Sequence, residues 1–355
     1  MSLIEKSREE LKEILCTQWG EPLYRWQQVC EWIFEHRVFR PEEMTNVPKS
    51  LRERIAKELP EEWPEVHERL DSEDGASKLL LRTCKNQMIE AVILRYEGRT
   101  SLCLSSQVGC RQACTFCQTG KLGFFRSLSS TEIMAQFAIA QSLLHAEGRR
   151  ISHVVFMGMG EPLDNFQAVL KTVRLLIDEY GISTRKVTVS TAGVADKIIE
   201  LAEQLRVALA ISLHACRDEL RSELMPINRR FPLAVLKESL LTYQKMTGDP
   251  LTMEYILIKD KNCSQREARE LVGFLHGLRA KVNLIPFNHH PGLPYERPSD
   301  EDIRLFQSYL SKRGIPAPVR YSKGAQVSAA CGQLAAKNKD QLHVAPERKK
   351  VVNFV

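Results

Sequence analysis

From Ser101 to Tyr321 the chain alternates short β-like runs with amphipathic helical patterns, and this alternation restricts the fold more than any other feature. The strand candidates are Ser101–Ser106, His153–Met157, Lys186–Ser190, Val207–Ser212, Leu251–Leu257, Lys281–Pro286 and Ala317–Tyr321. Helical patterns fill several of the gaps, notably Thr131–Ala146, Phe166–Glu179, Val194–Leu205, Gln265–Leu278 and Asp300–Arg313. Strand–helix alternation of this length predicts an α/β fold around a parallel sheet or barrel, since parallel neighbours need a crossover that a helix supplies. About six repeats fall short of the eight of a closed TIM barrel. The expected architecture is a partial (β/α)6 TIM-like barrel with a lateral opening, which a macromolecular substrate would need.

Residues 1–62 read as a small helical accessory domain. Leu11, Ile14 and Leu15 share one helical face, and Trp26, Val29, Cys30, Ile33 and Phe34 recur at spacings of three and four. Pro41 and Pro48 interrupt that pattern before Leu51–Leu59. Residues 63–98 read as a linker and β extension. The acidic, proline-containing stretch 60–75 is the linker, and β-like runs around 78–83 and 88–96, joined by Cys84–Gln87, suggest a hairpin. Residues 99–335 form the core barrel with a C-terminal cysteine loop, and 336–355 a basic surface tail.

No apolar run approaches the ~18 residues of a membrane span, and the N-terminus MSLIEKSREELKEIL has no signal-peptide centre. A cytoplasmic protein without a membrane partner is expected. Lys plus Arg minus Asp plus Glu is 50 − 44, or +6, a surplus compatible with a polyanionic partner but equally with an ordinary surface. No heptad or obvious exposed apolar face is present, so a monomer is expected.

The ten cysteines are unevenly spread: Cys103, Cys110, Cys114 and Cys117 fall within fifteen residues. In a reducing compartment such clustering indicates metal or catalytic chemistry rather than disulfides. CRQACTFC has the pattern C-x3-C-x2-C, and three thiolates at that spacing can wrap one [4Fe–4S] cluster while leaving its fourth iron open. Phe116 would shield such a cluster from water. The alternative is a zinc site with a distant fourth ligand, such as a histidine. Cys16, Cys30, Cys84, Cys216 and Cys263 match no motif and are expected to pack. In VVFMGMGEPL, Gly158 and Gly160 would let backbone approach a ligand, and Glu161 would accept from an ammonium group.

Taken in order, CLSSQVGCRQACTFCQTGKLGF, GMGEPLDN, VTVSTAGV, AISLHA, PINRR, NLIPFN and AACGQL resemble the radical-SAM adenosine methyltransferases of large-subunit ribosomal RNA (the RlmN/Cfr type). The resemblance extends over essentially the whole chain, including GEPLYRWQQVCEWIF. It implies a radical-SAM barrel in which Cys110, Cys114 and Cys117 hold one [4Fe–4S] cluster. Gly160, Glu161, Ser190, Ser212, Leu213, His214 and Asn288 would line the S-adenosylmethionine pocket. It further implies that Cys331 takes a methyl from one S-adenosylmethionine. Reductive cleavage of a second then yields a 5′-deoxyadenosyl radical that removes a hydrogen from the S-methyl group, and the methylene radical adds to adenine. Glu90 would remove the proton from the adducted carbon, and Cys103 would form a transient disulfide with Cys331 as product leaves. The residues can support these roles: Cys103 shares a strand face with Ser101 and Ser105, and Glu90 interrupts an apolar strand whose burial would raise its pKa.

The implied substrate is an adenosine of 23S ribosomal RNA, methylated on carbon 2, with carbon 8 or transfer RNA as alternatives. A low-potential electron donor such as flavodoxin or ferredoxin is implied as partner. Tyr24, Arg25, Trp26 and Lys49 are candidate RNA contacts, or else helix core and solvated surface. Before Cys331 the family usually carries Gly-x-Asp-Ile-x-Ala-Ala-Cys, whereas this chain has Gln326 and Ser328 in Gly324–Cys331. That departure could alter loop order, target or rate. The rival of a different class is an RNA-binding iron–sulfur protein that has lost methyl transfer, against which every candidate catalytic residue is present.

Overall fold

The computed structural model describes residues 2–60, 63–289, 292–329 and 332–334. Its centre is a nine-stranded sheet. The strands, numbered in chain order, are β1 (Glu65–Asp71), β2 (Ala76–Arg82), β3 (Met88–Tyr96), β4 (Arg99–Cys103), β5 (Gln107–Gly109), β6 (Phe124–Ser127), β7 (His153–Phe156), β8 (Val187–Thr191), β9 (Ala208–Ser212), β10 (Leu251–Leu257) and β11 (Ala280–Pro286). The sheet order is β1-β2-β3-β4-β7-β8-β9-β10-β11, with β5 and β6 forming a separate ribbon. Six strands, β4 and β7 to β11, run parallel; β1 to β3 extend that sheet antiparallel at its β4 edge. This is the expected partial barrel with its β extension.

Two expectations are corrected at the sheet edges. Residues 65–71 are not a linker but edge strand β1, in register Glu65↔Arg82 through Asp71↔Ser77. Their charges concealed the strand, yet charge is what protects an edge from further pairing. Residues 317–321 do not form a strand; they contribute one bridge, Leu284↔Val319. Val282 and Leu284 donate to the carbonyls of Pro316 and Pro318. Neither proline can donate in return, so the ladder cannot propagate.

Helices cover the outer face. Ser130–His145 opens with a capping box between Ser129 and Glu132. It buries residues on nearly every side, including Gln136 and Gln141, because it lies between the sheet and the N-terminal helices. Arg37 from the N-terminal region donates to Gln141 Oε1 and the carbonyls of Ile151 and Tyr180. Phe34 and Phe137 both pack edge-on to Tyr180. Helix Leu233–Thr247, between β9 and β10, was not among the expected patterns, although Pro232 precedes it and Gly248 ends it in the left-handed region. No helix among the described residues is long and apolar enough to cross a membrane.

Candidate active site

The cysteine loop leaves the sheet after β4 and is closed at its base by the β5–β6 ribbon. Cys110 N–H donates to the Gly123 carbonyl at 2.8 Å. Gly109 has φ +74°, and a Cβ there would stand 1.9 Å from that same carbonyl oxygen, so only glycine closes this neck. The loop is held from outside: Thr115 N–H donates to Leu224 O at 3.0 Å, and Thr115 Oγ1 lies 2.7 Å from Tyr295 Oη.

All three cysteines line a cavity with Phe116, Gly160, Glu161, Ser190, Ser212 and His214 among its walls. Burial pushes the Cys110 thiol up to about 12 and the Cys114 and Cys117 thiols upward as well. Thiols so placed stay neutral unless iron supplies the compensating positive charge. The donor set, three thiols on one loop lining one cavity, fits a cubane with an open iron.

Glu161 is buried (3% exposed). Its oxygens accept from the Leu163 and Ala192 amides at 3.0 and 2.7 Å, tying the loops after β7 and β8 together. Burial raises its pKa to about 7 against the pull of those amides. Gly160 has φ +103°, and a Cβ there would meet the Gln107 side chain at 2.6 Å; the Gly-Glu pair thus fits against the β4 loop. His214 adopts φ +58°, uncommon for a non-glycine residue and frequent at functional sites. Its Nδ1 accepts from Ile256 N–H at 3.0 Å, leaving Nε2 as the N–H of a neutral ring. Burial, then the charge of Arg221, lowers its pKa to about 3. The ring meets Phe116 edge-on at 4.8 Å. Leu213 and Asn288 are not among the lining residues: Leu213 is buried with its amide on Glu254 O, and Asn288 donates to Ser322 Oγ at 3.0 Å.

Arg221 was not foreseen from sequence. It is fully buried and donates to the carbonyls of Ala192, Ser212 and Leu213 and to Asn228 Oδ1. Its guanidinium fixes the ends of β8 and β9 and places positive charge beside Cys114. Arg221→Met should cost about 3–5 kcal/mol, because it strands buried acceptors; urea unfolding of the wild type and variant measures it.

A second cavity adjoins the first. It shares Met157, Glu254 and Ile285 with the first. Ser101 and Cys103 line it. Ser105 does not, since β4 ends at Cys103 and Ser105 Oγ donates to the Glu90 carbonyl. Glu90 lies on the β3 face of Val92, whose register partner is Cys103. Its carboxylate is buried, and the buried Lys78 Nζ stands 3.4 Å away, a partner the sequence reading did not include. At the N-terminal ends of the strands this cavity opens between Arg99, His153, Lys186, Lys281, Arg320 and Lys323.

Ala330, Cys331 and the tail 335–355 lie outside the described residues, as do Glu61, Glu62, His290 and Pro291. On either side of Cys331, Ala329 lines the second cavity and Gly332 the first. Gly332 O accepts from Gln118 N–H at 2.8 Å, directly after the cysteine loop. Gln326 lies in a short turn, Ala325–Val327, between left-handed Gly324 and Ser328, and Asp74 of the β extension provides a carboxylate to Gly324 N–H at 2.7 Å. Of the proposed RNA contacts, Tyr24 and Lys49 are exposed, and Arg25 lies over the Tyr24 ring at 4.7 Å. Trp26 instead donates to Arg8 O and packs on the core. Cys84 does not pack as expected; it is exposed in the β2–β3 turn.

A six-stranded parallel half-barrel with three loop cysteines at one end of its lumen defines a radical-SAM enzyme. Residues 104–272 match the Radical SAM superfamily, and residues 1–59 match the ribosomal RNA large subunit methyltransferase N-terminal domain. A radical SAM methyltransferase from Sphaerobacter thermophilus superposes with a TM-score of 0.89 at 42% identity, covering 94% of this chain and 98% of that one. The probable dual-specificity RNA methyltransferase RlmN of Dictyoglomus thermophilum is 42% identical over 92% of this chain and 94% of its own. The dual-specificity RNA methyltransferase RlmN of Alkalilimnicola ehrlichii is 42% identical over 96% of this chain and 95% of its own. The chain belongs to the RlmN family of radical-SAM RNA methyltransferases, a family whose superfamily implies a [4Fe–4S] cluster and S-adenosylmethionine.

Proposed function

We propose that this enzyme methylates carbon 2 of an adenosine in 23S ribosomal RNA, and of an adenosine in transfer RNA, by way of an S-methylated Cys331. The observation that carries this reading is the shared wall of the two cavities. Cysteines for a cluster stand at one end, while Cys103 and its register partner Val92, two residues along β3 from Glu90, border the adjoining space. The dual-specificity names of the relatives support two RNA classes.

Cys110, Cys114 and Cys117 would hold one cluster, which when bound supplies the electron that cleaves S-adenosylmethionine; a flavodoxin- or ferredoxin-like donor would deliver it. Two S-adenosylmethionine molecules would be used per turnover, one for the methyl on Cys331 and one for hydrogen abstraction. Gly160, Glu161, Ser190, Ser212 and His214 would form the wall for that molecule, with Leu213 and Asn288 contributing from behind it. Neutral His214 offers a hydrogen-bond donor that does not change with pH across the working range. Glu90 would take the proton from the adducted carbon, and Cys103 would pair with Cys331 on release. The domain organisation follows: 1–62 for RNA recognition, 63–98 as extension, 99–335 as catalytic barrel and 336–355 as tail.

Anaerobically reconstituted protein, reductant, labelled S-adenosylmethionine, and rRNA or tRNA fragments test this. Mass mapping should find 2-methyladenosine; 8-methyladenosine would move the assignment to carbon 8. Release of 5′-deoxyadenosine with unmodified RNA would overturn the substrate. Absence of both products with an intact cluster would favour a binding protein.

The basic mouth of the second cavity suits phosphates flanking an extruded base. Lys186→Glu with Lys281→Glu should raise the KM for RNA by at least about tenfold and flatten its salt dependence. Steady-state kinetics at two ionic strengths read this. S-Adenosylmethionine binding, measured by calorimetry, should not change.

A further inference from the structure

We propose that Lys78 is a positioning residue that couples Glu90 to the loop bearing Cys331. Lys78 lies in β2, on the extension rather than in the barrel, in register with Val92 of β3. Its side chain is 3% exposed and that of Glu90 2%, with Nζ 3.4 Å from the Glu90 carboxylate. The same ammonium donates to the Ser328 carbonyl at 3.2 Å, three residues before Cys331. A buried ammonium is retained only where its charge and its donors are answered. Here one answer is the candidate base and the other is the backbone of the cysteine loop.

The surroundings give this bridge a purpose. The loop is also tied to the extension at its start, where Lys323 Nζ donates to Arg95 O at 2.9 Å and Gly324 N–H to Asp74 Oδ2 at 2.7 Å. Those tethers hold the loop's entry but touch no candidate catalytic group. Lys78 fixes the Ser328 end relative to the carboxylate that must reach a carbon bonded through Cys331. It also sets a positive charge 3.4 Å from the carboxylate that is to accept the proton. Lys78 itself touches neither substrate nor cluster in this assignment; it acts through Glu90 and Ser328.

The inference rests on the roles of Glu90 and Cys331 given above, and the test separates the two. Reconstituted holoenzyme carrying Lys78→Gln, Lys78→Met, Lys78→Arg, Glu90→Gln or Lys78→Met with Glu90→Gln is incubated with RNA and S-adenosylmethionine. Methylated Cys331 is read by intact mass, covalent protein–RNA adduct by denaturing gel, and methyladenosine by mass spectrometry.

Lys78→Gln keeps a donor for Ser328 but no charge. It should methylate Cys331 normally, accumulate adduct and release methyladenosine about 10- to 100-fold more slowly. Lys78→Met should lose more, and Lys78→Arg should restore most of the rate. The double variant should be no slower than Glu90→Gln, because Lys78 then has no base to position. Wild-type adduct turnover in Lys78→Gln would overturn the proposal, as would losses that multiply in the double variant. If Lys78→Met does not fold, the glutamine and arginine variants decide alone. If Glu90→Gln itself resolves adduct at the wild-type rate, the base assignment fails first and the coupling with it.

Discussion

Cys331→Ala is expected to abolish RNA methylation, by more than about a thousandfold, while leaving the iron content of the protein unchanged. The methyl carrier and the cluster ligands are different cysteines in the proposed assignment. Cys110, Cys114 and Cys117 share one cavity with the pocket-lining Gly160, Glu161 and His214, whereas Cys331 follows Ala329, a lining residue of the second cavity, by two positions in the sequence. Nucleoside analysis of treated RNA and iron quantification of the same preparation check both halves. Loss of iron would make Cys331 a ligand, and retained methylation would require another carrier.

Cys114→Ala should have the complementary effect. Iron is expected to fall from about four per chain to near zero, with loss of 5′-deoxyadenosine and of every RNA product. Burial raises the Cys114 thiol well above its ordinary pKa, and the Arg221 guanidinium opposes that rise. Arg221 remains bonded to Ala192, Ser212, Leu213 and Asn228 in the variant, so the chain should still fold. Visible absorption, iron assay and a thermal melt separate cluster loss from unfolding. A retained cluster in Cys114→Ala would refute the three-cysteine ligand set.

The contrast between these cysteines and Lys78 shows what was legible. Cys110, Cys114 and Cys117 are read directly because their spacing is local, as are Gly160 and Glu161 directly after β7. The six parallel strands were likewise visible as runs alternating with helical periodicity, with most boundaries within one or two residues. Strand β1 was misread because Glu65, Glu68 and Asp71 give an edge strand the composition of a linker. Residues 317–321 were misread in the opposite sense: Val319 and Tyr321 suit a strand, but Pro316 and Pro318 deny the ladder its donors. Arg221, in helix Asp218–Leu224, gave no signal, since an arginine in a helix ordinarily reaches solvent, and its four acceptors come from three separate segments.

The order of motifs along the chain determined the family, the three-cysteine loop and the parallel half-barrel, because each rests on contacts between near neighbours or on periodicity within one element. Tertiary structure decided which distant groups meet. It set Lys78 between Glu90 and Ser328, 12 and 250 positions away, placed Arg221 behind the pocket, and gathered Arg99, His153, Lys186, Lys281, Arg320 and Lys323 at one mouth. Those groups are brought together by strand register and sheet curvature, which emerge only when the sheet has assembled around its core.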